Sequence, residues 1–121
     1  MKLKNAVIAL ITLSFAVVAY AAPKTVYKVD RVVAKMEGNT VTIHAYGHVR
    51  TGGWTDGTLV PAKGTAKILT YRFVATPPSG PHTEQITKIE AEKTTGPLLP
   101  PFPTKVKIIA ETNSKTVTIT H

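Results

Sequence analysis

From Thr40 to Arg50 the chain alternates without a break: Val41, Ile43, Ala45, Gly47 and Val49 share one parity, and Thr42, His44, Tyr46, His48 and Arg50 share the other. A period of two is what a half-buried strand requires, because successive side chains point to opposite faces of a sheet. One face of this strand is apolar and the other carries imidazoles, a phenol and a guanidinium. The strand empties into Thr51-Gly52-Gly53-Trp54-Thr55-Asp56-Gly57, where glycines allow a sharp turn around the only tryptophan in the chain.

The neighbouring segments carry shorter versions of the pattern. Thr25 to Met36 is rich in valine and predicts a strand whose phase slips near Val32-Val33, through a bulge or a change of partner sheet. Glu37-Gly38-Asn39 supplies residues that accept positive φ, so this strand and the alternating one are expected to pair as a hairpin. Gly57 to Gly64 predicts a short edge segment, since Pro61 has no N–H to give to a ladder. Thr65 to Ala75 places Ile68 and Val74 on one parity and Leu69, Tyr71 and Phe73 on the other, the pattern of a central strand with a local phase shift.

Beyond the proline- and glycine-rich loop Thr76 to Thr83, Gln85 to Thr95 alternates Thr87, Ile89 and Ala91 against Lys88, Glu90 and Glu92. It is assigned as a strand, although Ile86 and Ile89 among Glu, Ala and Lys also suit a short helix. Gly96 to Thr104 holds four prolines around Leu98, Leu99 and Phe102, and is expected to be a crossover connection whose apolar side chains cap an open end of the core. The three-residue recurrence of Pro97, Pro100 and Pro103 would equally line one edge of a polyproline ligand. In the last stretch, Ile108-Ile109-Ala110 and Val117-Thr118-Ile119 repeat the layout of Val32-Val33-Ala34 and Val41-Thr42-Ile43, as a duplicated hairpin or two ordinary ones would.

Short strands at even spacing, with no sustained helical period, predict an all-β fold: a small antiparallel β-sandwich of about six to eight strands, immunoglobulin-like in architecture only. The cysteine and tryptophan spacing of true immunoglobulin domains is absent, and a sandwich by itself licenses no function.

Composition adds location. Lys2 and Lys4, the apolar run Ala6 to Val18 and the small-residue site Ala19-Tyr20-Ala21 form a secretory signal, with cleavage expected after Ala21. The apolar run is short of the ~20 residues that span a bilayer, so no stable membrane anchor is expected after processing. Residues 22–121 then form a single domain, exported to the periplasm or the medium. The chain has no cysteine, hence neither a disulfide framework nor an acylated cysteine. Loss of Lys2 and Lys4 leaves thirteen basic residues against seven acids, a net +6 with histidines neutral. The lysines are scattered, with no run of the kind that tracks phosphates, and export removes nucleic acid from reach, so no nucleic-acid partner is expected.

The chemistry available is sparse. After the signal only Ser79 and Ser114 remain as hydroxyl nucleophiles of that type, neither in a nucleophile-elbow setting, and a carboxylate pair would have to come from residues as distant as Asp30, Asp56 and Glu111. These features argue against an enzyme and against a resident cofactor. His44 and His48 have the four-residue spacing of helical metal ligands, but on a strand at ~3.3 Å per residue their α-carbons lie about 13 Å apart. A shared ion would need a cross-strand partner such as His82 or His121, and no metal is expected.

The dressed face remains. His44, Tyr46, His48 and Arg50, followed by Trp54 and Asp56 in the turn, gather planar and hydrogen-bonding groups of the kind that hold a protein partner or a glycan. Two readings of Trp54 stay open: a plug at the end of the core, or a binding anchor. The functional expectation is an exported binding module that recognises a protein partner, such as an envelope protein, as an inhibitor or an envelope-assembly accessory. The alternative is a carbohydrate-binding module with Trp54 and Tyr46 as a stacking platform.

Overall fold

The computed structural model describes residues 22–80 and 83–121, so the expected signal segment, together with Pro81 and His82, lies outside the described residues. Within them there are eight strands and no helix: β1 (Lys24–Thr25), β2 (Lys28–Glu37), β3 (Thr40–Thr51), β4 (Thr55–Pro61), β5 (Ile68–Thr76), β6 (Glu84–Thr94), β7 (Lys105–Ile109) and β8 (Ser114–Thr118). They form two facing sheets, one of three strands in the order β2-β3-β6 and one of five built around β5. The all-β sandwich expected from the alternation is the fold.

The three-stranded sheet follows directly from the pattern of β3, where Val41, Ile43, Ala45, Gly47 and Val49 are buried while Thr42, His44, Tyr46 and His48 are half-buried on the other face. The expected hairpin with β2 forms around Gly38-Asn39, between the paired residues Glu37 and Thr40. Gly38 has φ of 65°, the left-handed value that a two-residue loop with glycine first demands. The expected phase slip in β2 lies elsewhere. Val32 is buried and Val33 is 42% exposed, an ordinary in-and-out pair; the extra residue is Asp30, where the register jumps between Val29 and Arg31. The change of partner sheet also occurs, just before β2. Val26 still donates its N–H to the Phe73 carbonyl at 2.8 Å, whereas Lys28 already pairs with His48.

In the second sheet, Val74 pairs with both Thr58 and Thr25, and Tyr71 with both Pro61 and Ile108. A strand has two edges, so β4 occupies one edge of β5 while β1 and β7 share the other, with β8 beyond β7. Pro61 is the last residue of its edge strand, where its missing N–H costs nothing. The expected phase shift inside β5 is absent. Leu69, Tyr71, Phe73 and Ala75 face the core without interruption, and Ile68, Thr70, Arg72, Val74 and Thr76 take the other face. Apolar residues occur on both parities because β1 and β4 also cover Val74 from the flanks.

One strand pair departs from antiparallel. β6 crosses to the other sheet and brings the chain back to the end where β5 began, so β7 starts beside Ile68 and runs parallel to β5. The connection between β6 and β7 packs Leu98 on the core, its N–H donated to the Asn39 carbonyl at 2.8 Å. The expected cap is otherwise not made: Leu99 is 84% exposed and Phe102 37% exposed, and it is Pro103 that is buried. The β7–β8 hairpin turns over residues 110–113 between the paired Ile109 and Ser114, a longer turn than that after Glu37, so the similar layout of the two hairpins is not a repeat in register.

The sheets are tied along both sides. Thr120 accepts the Met36 N–H and donates its own to Ala34, and on the far side Gly57 lies against β6 where a Cβ would collide with the Glu90 carbonyl. Between the sheets the largest fully buried side chains are Phe73, Ile43, Leu59, Ile108 and five valines, each contributing about 1.5–3 kcal/mol by its removal from water.

Candidate functional site

β3 is the middle strand of its sheet, so its outward side chains are flanked on both sides, and the register places them in rows. His44 lies between Val33 and Glu92, Tyr46 between Arg31 and Glu90, and His48 between Lys28 and Lys88. Arg50 follows beside Ile86, which is 72% exposed. Four of the six candidate residues, His44, Tyr46, His48 and Arg50, therefore share one surface.

That surface is internally organised. His44 sets Nε2 3.0 Å from Glu92 Oε2 and Nδ1 3.4 Å from the Tyr46 hydroxyl. With the Nε2 proton directed to the carboxylate, Nδ1 is left to accept the phenol O–H. His48 Nδ1 lies 2.9 Å from Asp30 Oδ2, and the His48 ring tilts against Tyr27 at a centroid distance of 5.8 Å. The Arg31 guanidinium sits 4.9 Å above the Tyr46 ring and the Arg50 guanidinium 5.4 Å above Tyr27, both within cation–π range. The two histidines thus face carboxylates on opposite neighbouring strands. They do not face each other. Among the described residues no group of three or more His, Cys, Asp or Glu side chains converges as metal ligands would.

Trp54 and Asp56 are elsewhere. Trp54 is partly buried against the core, and its indole N–H donates to Thr51 Oγ1 at 2.8 Å. Gly53 before it, with φ of 87°, makes the turn that directs the indole inward. Asp56 has φ of 58°, a conformation aspartate tolerates better than most residues, and sits at the register shift of β4 between Thr55 and Thr58. It lines the outer surface of the five-stranded sheet beside Lys24 and Arg72. Asp56 is thus on the surface of the other sheet, whereas Thr51, which opens the turn and holds the indole, lines a hollow of the strand face with Arg50 and Tyr27.

Conversely, the face contains residues that the alternating strand alone does not announce: Tyr27, Asp30 and Arg31 before or within β2, and Glu90 and Glu92 on β6. The parity of β6 would have nominated the two glutamates once its pairing was known; the bulge at Asp30 conceals Arg31. Shallow hollows run along the face, one at Val33 and His44, one at Arg31, Tyr46 and Glu90, and one at Tyr27, Arg50 and Ile86. The strands of this sheet carry six Lys or Arg against five Asp or Glu, so the face is patterned in charge and nearly balanced.

No protein-family model matches the sequence, and no curated protein or solved structure matches it.

Proposed function

We propose that the protein is an exported β-sandwich binding module that recognises a protein partner, as an inhibitor or an envelope accessory, through the outer face of β2, β3 and β6. The observation that carries the reading is the arrangement of that face: planar and charged groups in register down the middle, with exposed Val33 on one flanking strand and exposed Ile86 on the other. Exposed apolar and aromatic groups inside a polar frame are what protein interfaces use as anchors. A glycan platform is less favoured, because the faces of Tyr46 and Tyr27 are already stacked under guanidinium groups and Trp54 packs on the core.

Size sets the affinity class. Three strands at ~4.8 Å spacing and ten residues at ~3.3 Å offer roughly 500 Å² in projection, below the ~800 Å² per partner of a standard interface. The interaction is then a transient one unless bordering loops join it. Binding, and not catalysis, is the reading: Ser114 lies on β8 in the other sheet and Ser79 in a loop, apart from the histidine–carboxylate pairs.

The test is affinity capture from an envelope extract, with the unaltered protein and a Tyr46→Ser, Arg31→Ser double variant as parallel baits. A single protein recovered at one-to-one stoichiometry by the first and lost with the second supports the reading. An identical recovery by both baits, or none by either with glycans bound instead, overturns it.

A further inference from the structure

The strands define two ends of the sandwich, and their charges differ. One end gathers the β2–β3 turn, residues 62–67 between β4 and β5, and the crossover at residues 95–104, joined by hydrogen bonds from Leu98 N–H to the Asn39 carbonyl, Thr104 N–H to the Lys67 carbonyl and Ile119 N–H to the Thr104 carbonyl. Lys35, Lys63, Lys67, Lys93 and Lys105 lie in these loops or in the strand ends beside them, with two acidic side chains, Glu37, which Lys35 meets at 3.7 Å, and Glu92, which His44 meets at 3.0 Å. The opposite end holds Asp30, Asp56, Glu84 and Glu111 among Lys24, Lys28, Arg50, Lys88 and Lys115, so its charges are nearly balanced. The cationic character continues up the outer sheet through Lys107 and Arg72, because β5, β7 and β8 contain no Asp or Glu. Among the described residues no ion pair engages Lys63, Lys67 or Lys105.

The same end presents Leu99 and Phe102, two of the four large apolar side chains left exposed among the described residues. They sit on a segment stiffened by Pro97, Pro100, Pro101 and Pro103, so holding them outward costs little chain entropy. We propose that this end of the sandwich is an attachment surface for an anionic lipid bilayer, with Leu99 and Phe102 entering the interface and Lys63, Lys67 and Lys105 resting among the headgroups.

Charge complementarity selects the occupant. A lysine near an anionic membrane surface contributes an attraction that falls off within a Debye length, and lasting peripheral attachment takes a second, apolar signal. Both signals lie together at this end. A soluble polyanionic glycan would use the lysines and leave Leu99 and Phe102 without a role. The interaction face of β2, β3 and β6 runs along the side of the sandwich and stays open when this end is down.

The experiment is partitioning of the full chain between buffer and sedimented vesicles, of phosphatidylcholine alone or with about one third phosphatidylglycerol, near physiological salt. Binding is expected on the anionic vesicles only, weakened by added salt. Lys67→Ala should lower the partition coefficient about fivefold and Leu99→Ser about tenfold, with circular dichroism unchanged. Equal binding to neutral vesicles, insensitive to both substitutions, would assign attachment to the apolar N-terminal segment and overturn the proposal. So would capture by a sulfated polysaccharide that Leu99→Ser leaves intact, which would make the surface a glycan site, or no vesicle binding at all.

Discussion

The side-chain amide of Asn113 meets the backbone of Val29 twice: its Oδ1 accepts the Val29 N–H at 2.9 Å and its Nδ2 donates to the Val29 carbonyl at 2.8 Å. Val29 lies immediately before the Asp30 bulge, on the edge of β2 away from β3. Asparagine supplies one donor and one acceptor side by side, so it takes the place a paired strand residue would hold. The turn of the β7–β8 hairpin is thereby pinned to the other sheet, reinforced by Glu111 and Thr112 N–H groups on the Val26 and Tyr27 carbonyls.

Asn113→Ala should leave both Val29 groups partly buried without partners, at about 1–3 kcal/mol, which for a domain of this size lowers Tm by roughly 5–15 °C. Asn113→Asp keeps the acceptor but sets an ionised oxygen against the Val29 carbonyl, so it should not rescue. Urea unfolding of the two variants checks this, and two unaltered midpoints would show that the amide docking contributes nothing.

Two glycines should respond to alanine in opposite ways. Gly38 needs a left-handed φ but has open space around it, so Gly38→Ala costs only the strain of that conformation, about 1 kcal/mol. Gly57 lies against the backbone carbonyl of Glu90, which cannot rotate aside as a side chain would. Gly57→Ala must push β4 off β6, and an overpacking cost of ~3 kcal/mol or more is expected. Thermal unfolding of the pair is the measurement, with the ordering as the outcome at stake.

Burial raises the pKa of the Tyr71 hydroxyl above its ordinary value of 10.0. The unfolded chain then loses this proton first, so the folded state binds more protons once pH passes ~10, and stability present below that pH falls as pH rises toward the folded value. Tyr71→Phe should flatten that part of the alkaline stability profile while the lysines titrate as before. Superimposable profiles for the two proteins above pH 10 would remove Tyr71 as a contributor.

Local order was legible where it was decided locally. β3 alternates without a break because both its neighbours take the same pleat, and the Gly38-Asn39 turn follows from the residues that tolerate it. The Val32-Val33 doublet imitates a phase slip, whereas the true bulge at Asp30 leaves the valines regular and is visible only against β3. The parallel pairing of β5 with β7 depends on β6 having crossed between sheets, which no local pattern records. The site divides in the same way. His44, Tyr46, His48 and Arg50 share a face by parity alone, but Asp30 and Glu92 reach the two histidines from different strands. The glycines that open the turn do not record which way it sends its side chains: Thr51 borders the face, Trp54 packs on the core and Asp56 lies on the other sheet.

Trp54 and Tyr46 therefore separate stability from recognition. The indole is partly buried against the core and bonded to Thr51, so Trp54→Ala should lose a good share of the ~3–5 kcal/mol of a fully buried aromatic, about 2–3 kcal/mol. Trp54→Phe retains most of the packing and forfeits the N–H bond, for about 1 kcal/mol. Trp54 itself lines none of the hollows of the outer face of β2, β3 and β6, only its partner Thr51 does, so partner capture by the still-folded Trp54→Phe protein should match the unaltered chain. Tyr46→Ala removes a half-exposed ring whose contacts are Arg31 and His44, at a cost of ~1 kcal/mol or less, and should abolish capture. Chemical denaturation and pull-down on the same three proteins decide the matter. A stable Trp54→Ala protein that no longer captures its partner would move the recognition surface to the glycine-rich turn, and capture unimpaired by Tyr46→Ala would remove it from the face of β3.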